Sequence, residues 1–344
     1  MRISLCAAGT ALALSTPVFA HHSDAGLDMD STVSFEGTVT AFNWRNPHVY
    51  FTVETDAGTA WELQMGSTIV VSRMGWTRDS LSVGDRVTVG AHAARNGRAY
   101  GLVDSVEKAG GIVLPTSFDS ATGEPLLRAP AASARAATLD GVWMADVSTL
   151  VRYAGGLDGL FAALLRPTPK GRAAQAAYAE ISEQNPGARC IGLPTPATIV
   201  TTNLYPLEIR MDAAARTVSI RSEFFDERRT VYLDGREHPD ARERFHSGYS
   251  IGRWETDTLV VDTRNFADHR SPYQTGVPSG ARKRVVERYR LTGDGTRVVV
   301  EFTLEDPEYL AEPMTHMREL VYAPQMTLSD FDCDMEATRR FLPP

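Results

Sequence analysis

The residue types best suited to chemistry in this chain are the histidines near its start. His21-His22-Ser23 follows Val18-Phe19-Ala20, and His48 closes the run Asn43-Trp44-Arg45-Asn46-Pro47-His48. Cleavage after Ala20 would make His21 an N-terminal histidine, whose α-amine (pKa about 8) and ring nitrogen chelate one metal ion together. A further imidazole completes a three-nitrogen set suited to copper(II), which prefers tetragonal nitrogen ligation and leads the divalent affinity series. His48 is the expected third ligand because Pro47 fixes the backbone before it; His22 and His92 stand in reserve. The competing reading is a frayed terminus together with a His48 that only caps a turn.

A second set of polar groups lies in the C-terminal half. Glu223, Arg229, Asp234, Arg236, His238, Trp254, Glu255, Asp262, Glu287 and Arg288 fall in strand-like stretches, where period-2 geometry sends alternate residues to opposite faces. Those pointing inward would line a polar pocket able to orient a small molecule or move a proton. Those pointing outward would form a salt-bridge lattice, the usual dress of an exposed antiparallel face and the leading expectation. The catalytic candidates are His238 with a carboxylate, Glu223 or Glu287, and Arg229 beside them. Asp234-Gly235 is a turn signal before it is a site. Asp226-Glu227-Arg228-Arg229 is likewise a solvated charge run first.

The setting of these groups follows from the first twenty residues. Met1-Arg2, an apolar run from Ile3 to Leu14 and the stop at Ala20 have the layout of a cleavable secretory signal. No later stretch reaches the roughly 20 apolar residues that span a bilayer, so the processed protein is expected in the periplasm or outside the cell, without a membrane span. Cys6 leaves with the signal, and the remaining pair, Cys190 and Cys333, most simply forms one disulfide. A loop that long is stabilised by roughly 4–5 kcal/mol in the chain-entropy picture, an upper figure. Net charge is −8, which argues against nucleic acid or anionic lipid as the main partner. A nucleotide-binding glycine loop, a Gly-x-Ser-x-Gly elbow and a His-Glu-x-x-His pair are all missing.

The elements that must position these residues read as strands in two groups. In residues 21–109 three strands (Phe35–Phe42, Val49–Val53, Ala60–Met65), a short helical piece (Ser67–Arg73) and two more strands (Arg86–Ala91, Arg98–Glu107) give the order of a five-stranded OB-like barrel, with function expected on the loops between strands 1 and 2 and strands 4 and 5. Residues 110–139, rich in Gly, Pro and Ala, read as a linker. From residue 140 to 344 the chain opens on Asp140-Gly141-Val142-Trp143 and passes through two helical stretches, Leu157–Leu165 and Pro169–Ile181, the second capped by Thr168. It continues as eight strands between Leu207 and Tyr322. Their pattern predicts a closed, antiparallel, lipocalin-like β-barrel with Trp143 packed against one end. The fold class is therefore mainly β.

Phe35-Glu36-Gly37-Thr38-Val39, Trp44-Arg45-Asn46-Pro47-His48, Met65-Gly66, Gly75-Trp76-Thr77-Arg78 and Val83-Gly84-Asp85, together with His-His-Ser, resemble an uncharacterised family of small exported bacterial β-proteins over residues 21–108. The second half is similar to exported proteins found beside or fused to that domain, on Arg189-Cys190, Tyr232–Pro239, Gly252–Thr263 and Glu287-Arg288-Tyr289. The resemblance implies boundaries and compartment and carries no activity. The function expected from the residues is a periplasmic binding protein for copper, for a small ligand in the second barrel, or for both. The rivals are an envelope enzyme working by acid–base chemistry on a small lipophilic or carbohydrate substrate, and a structural interaction module.

Overall fold

The computed structural model describes residues 26–110, 112–114, 133–149 and 156–342. The first barrel is built from β1 (Val33–Asn43), β2 (Tyr50–Thr55), β3 (Ala60–Gln64), α1 (Thr68–Arg73), β4 (Arg86–Ala93) and β5 (Tyr100–Lys108), in the expected order. β1 pairs antiparallel with β2 and β4, β2 with β3, and β4 with β5. β3 then lies parallel to β5, which closes the ring. Alternation makes the core: Val87, Val89 and Ala91 of β4 turn inward to meet Phe51, Leu63 and Trp76. Gly37 is required where β1 passes β2, since a Cβ there would lie 2.5 Å from the Glu54 carbonyl oxygen. α1 starts at Ser67, whose hydroxyl accepts from Val70 N at 3.2 Å. A short β6 (Ile112–Leu114) pairs with β5, so the first part of the expected linker extends this sheet.

The second barrel has nine strands: β7 (Gly141–Ala145), β8 (Leu207–Asp212), β9 (Thr217–Ser222), β10 (Arg228–Tyr232), β11 (Tyr249–Glu255), β12 (Thr258–Arg264), β13 (Arg284–Leu291), β14 (Arg297–Glu305) and β15 (Met314–Tyr322). The extra strand is the one that carries Trp143. Rather than plugging an end, Trp143 sits in the wall, opposite Tyr322 of β15 and Leu207 of β8, with its Nε1 donating to Leu139 O at 2.9 Å. An odd ring cannot be antiparallel throughout, and the mismatch falls at β10 and β11, which run parallel through Val231↔Ser250 and Tyr232↔Ile251. Asp234-Gly235 therefore opens a long return, residues 233–248, in place of a tight hairpin.

Apart from the return 233–248, which starts at the other end, the strand directions gather the longer connections among the described residues at one end of this barrel: residues 146–149 with 156–206, then 223–227, 265–283 and 306–313. The first holds α2 (Gly156–Leu164), α3 (Pro169–Ala176) and α4 (Ala197–Val200), with Thr168 Oγ1 capping α3 by accepting from Gly171 N at 3.1 Å. The other end carries the tight hairpins. Trp143, Phe161, Tyr289 and Phe302 are fully buried in the core, each contributing about 1.5–3 kcal/mol by leaving water. Outside, the expected lattice is present: Asp262 meets Arg264 at 2.7 Å and Arg284 at 2.8 Å, and Glu255 meets Arg288 at 2.9 Å. Such exposed pairs contribute little individually.

Candidate functional site

Two of the four catalytic candidates meet inside the second barrel. Val285, Glu287 and Tyr289 share the inward face of β13, and Arg229 points inward from β10. Glu287 is 0 % exposed and Arg229 9 %. Arg229 Nη1 donates to Glu287 Oε2 at 2.6 Å, Thr263 Oγ1 at 3.1 Å and Ser250 Oγ at 3.3 Å. Its Nη2 donates to Glu287 Oε1 and to Tyr289 Oη, while Tyr289 Oη donates to Glu287 Oε1 at 2.7 Å. The network is closed on itself, as a buried ion pair must be to offset desolvation. The cavity against it, between Thr195, Ser222, Glu227 and Ser247, measures only ≈ 10 Å³, room for about one water. In this state the pair plugs the barrel and leaves no space for a substrate.

The other two candidates lie elsewhere. His238 is on the barrel's outside, its Nε2 3.8 Å from Asp262 Oδ2. Partial burial holds its pKa below the ordinary value against the pull of Asp262. Asp262 follows Val261, and Val261 is the cross-strand partner of Glu287, so the pleat places His238 and Glu287 on opposite faces of the wall. Glu223 is fully buried in the seam between the barrels, where Arg73 Nη2 lies 2.8 and 2.7 Å from its two oxygens and Ser329 N donates to Oε1 at 2.9 Å. Burial raises its pKa, with Arg73 opposing the shift. The expected pairing of His238 with Glu223 or Glu287 is thus not formed.

Of the metal candidates, His21 and His22 lie outside the described residues. His48 Nδ1 is 2.9 Å from Met65 O, and His92 Nδ1 is 2.9 Å from Ser31 O. Among the described residues no group of three or more His, Cys, Asp or Glu is placed to hold a metal ion. Cys190 and Cys333 form the expected disulfide, with Cα atoms 5.9 Å apart.

The loop between β1 and β2, one of the two on which function is expected, is turned into the joint between the barrels. Asn46 is buried; its Oδ1 accepts from Thr68 N and Thr68 Oγ1, both at 2.8 Å, and its Nδ2 donates to Phe331 O. Its carbonyl accepts from Asp334 N at 2.8 Å, and Arg45 pairs with Asp334. These contacts bracket Cys333, so loop and disulfide together strap the first barrel to the capped end of the second. Phe331 fills the joint, stacked on Phe225 with ring centroids 4.5 Å apart, and Tyr205 Oη donates to Ser67 Oγ at 3.0 Å.

Beside this strap runs an open cleft of ≈ 320 Å³. Trp44, Thr68, Ile69, Ser72 and Arg73 line it from the first barrel, and Thr327, Ser329 and Asp330 from the returning C-terminal chain. An indole, an isoleucine, four hydroxyls and one charge of each sign converge there. Sequence reasoning singled out Trp44 within its loop but missed the rest, which come from stretches far apart in the chain and carry no shared motif.

Residues 10–104 match a family of unknown function, DUF6152. The DUF6152 match covers the first barrel through most of β5, including the Asn-Pro-His loop and α1, and no part of the second barrel. No curated protein matches the chain. No helix among the described residues is long and apolar enough to cross a membrane. The disulfide accords with an oxidising compartment.

Proposed function

We propose that this is an exported binding protein for a small polar ligand with one apolar face, held in the cleft between the two barrels. The observation that carries the reading is the cleft itself, which both domains line and whose size falls within the range of ligand sites. The second barrel, where the sequence pointed for a ligand, has an interior occupied by aromatic side chains and the Arg229–Glu287 network. Trp44 offers a flat platform, Ile69 apolar contact, and the hydroxyls of Ser72, Thr327 and Ser329 directional hydrogen bonds. The signal-like first twenty residues and the disulfide support action in the envelope.

The test is native mass spectrometry of the protein purified under non-denaturing conditions from envelope extract, compared with Ser72→Trp. Ser72 is exposed on α1, so the bulky indole fills the cleft without removing a strap contact. A small molecule should accompany the parent and be lost from the variant. Equal small-molecule content in the two proteins refutes the cleft as the site.

A further inference from the structure

The chain carries 35 Lys and Arg residues, of which only Lys108, Lys170 and Lys283 are lysines. Cationic partners for carboxylates are therefore almost always arginine, which makes each lysine a position to explain. Lys108 pairs with Asp85 at 2.8 Å and Lys170 with Glu308. Lys283, which ends the connection 265–283, is 1 % exposed, and its Nζ has no hydrogen-bond partner among the described residues. It faces aromatic rings, 4.2 Å from the centroid of Phe266 and 5.3 Å from that of Tyr273. Tyr273 is also fully buried, and its hydroxyl likewise lacks a partner among the described residues.

A buried polar atom without a partner is costly and calls for an explanation. An arginine in this place would stay charged, whereas a lysine amine can be held neutral and then presents a nucleophilic lone pair. The ionisable groups around it are Asp306 from the β14–β15 connection, Glu227 from the β9–β10 connection, Glu287 on β13, and His269. Burial outweighs the pull of the three carboxylates and brings the amine down to about 7. His269, pushed down to about 3 chiefly by its own burial, is neutral, with Nε2 donating to Gly192 O at 3.0 Å. Burial also raises the Asp306 carboxyl.

We propose that Lys283 captures a small aldehyde or ketone as a Schiff base at the capped end of the second barrel, with the Tyr273 hydroxyl relaying protons. This site is separate from the cleft and does not depend on it. The amine lone pair forms a bond to the carbonyl carbon as the C=O π pair moves to oxygen. A proton passes from nitrogen to that oxygen by way of Tyr273, giving a carbinolamine. The phenol of Tyr273 then gives the carbinolamine oxygen a second proton, water leaves, the nitrogen lone pair forms the C=N bond, and the remaining N–H proton returns to the phenolate. Amine and carbonyl are consumed, imine and one water appear, and no oxidant or reductant is needed. Entry requires the connection 265–283 to open transiently, and the chemical step that follows entry sets the rate of capture.

The test is reductive alkylation of the folded full-length protein with acetaldehyde and cyanoborohydride, which fixes imines as they form. Peptide mass spectrometry follows each of the three lysines across pH. At pH 7 Lys283 should carry most of the label, and its labelling should turn on near pH 7, with Lys170, whose amine is held up by Glu308, rising only at higher pH. Tyr273→Phe should slow labelling at Lys283 about tenfold or more and leave the other two sites unchanged. The proposal is overturned if Lys283 stays unmodified in the folded protein while the unfolded protein labels at all three lysines. A Lys283 profile that parallels those of Lys108 and Lys170 overturns it equally, and an unchanged rate in Tyr273→Phe removes the relay.

Discussion

Replacing Lys283 with methionine should stabilise the protein, and the gain should depend on pH in a defined direction. Methionine keeps much of the length of the side chain and removes the amine that burial disfavours. The amine titrates at about 7 in the folded state, against the ordinary 10.5. At roughly 1.4 kcal/mol per unit, the lysine costs about 5 kcal/mol when both states are protonated. Below pH 7 that cost is present in full. Between pH 7 and 10.5 only the unfolded chain holds the proton, so parent stability rises with pH, and above about 10.5 the cost is gone. Against this stands the attraction of the ammonium to the Phe266 ring, worth about 1–2 kcal/mol in a dry site. The net gain expected for Lys283→Met is about 3 kcal/mol at pH 6 and less than about 1 kcal/mol at pH 10. Guanidinium unfolding with the disulfide intact, followed by near-ultraviolet circular dichroism at both pH values, measures it. A variant no more stable than the parent at pH 6, or a gain equal at the two pH values, refutes the reasoning.

Other outcomes follow from the same structure. Arg229→Met should destabilise by about 3–5 kcal/mol because Glu287 loses its cationic partner inside the barrel, whereas Arg229→Met with Glu287→Leu should recover most of the loss; denaturation midpoints of the single and double variants decide it. Asn46→Ala strips partners from Thr68 N and the Phe331 carbonyl, so hydrogen exchange should quicken in α1 and residues 329–334 while the barrel strands keep their protection, with a cost of about 1–3 kcal/mol. The copper chelate expected of His21 and His48 is checked by titrating copper(II) into the protein starting at His21 and into its His48→Ala variant. The variant should bind more weakly, and equal affinities dispose of the chelate.

Much of the architecture is legible in the residues because it rests on local patterns. Period-2 alternation in stretches such as Arg86–Ala91 marks both strand and inward face, and Thr168 marks a helix start by a hydroxyl that accepts from the backbone three residues on. Cys190 and Cys333 likewise foretell their bridge, being the two cysteines that lie outside the signal-like start of the chain. What the sequence could not reveal are properties of closure and juxtaposition. That β7 joins the ring, and that the ring is therefore odd with a parallel seam at β10 and β11, depends on which strands meet after the chain has folded. Arg229 and His238 look equally eligible as strand polar groups, yet the return from β10 to β11 leaves His238 outside while the pleat buries Arg229 against Glu287. Asn46-Pro47-His48 reads as an exposed loop until Phe331 and Asp334, nearly 300 positions later, arrive to grip it. Lys283 reads as an ordinary surface charge beside two arginines, because nothing within a few residues reports that Phe266 and Tyr273 fold over it. Burial is a sum over distant neighbours, and it is burial that decides whether a charge here is solvent-facing, paired, or held neutral.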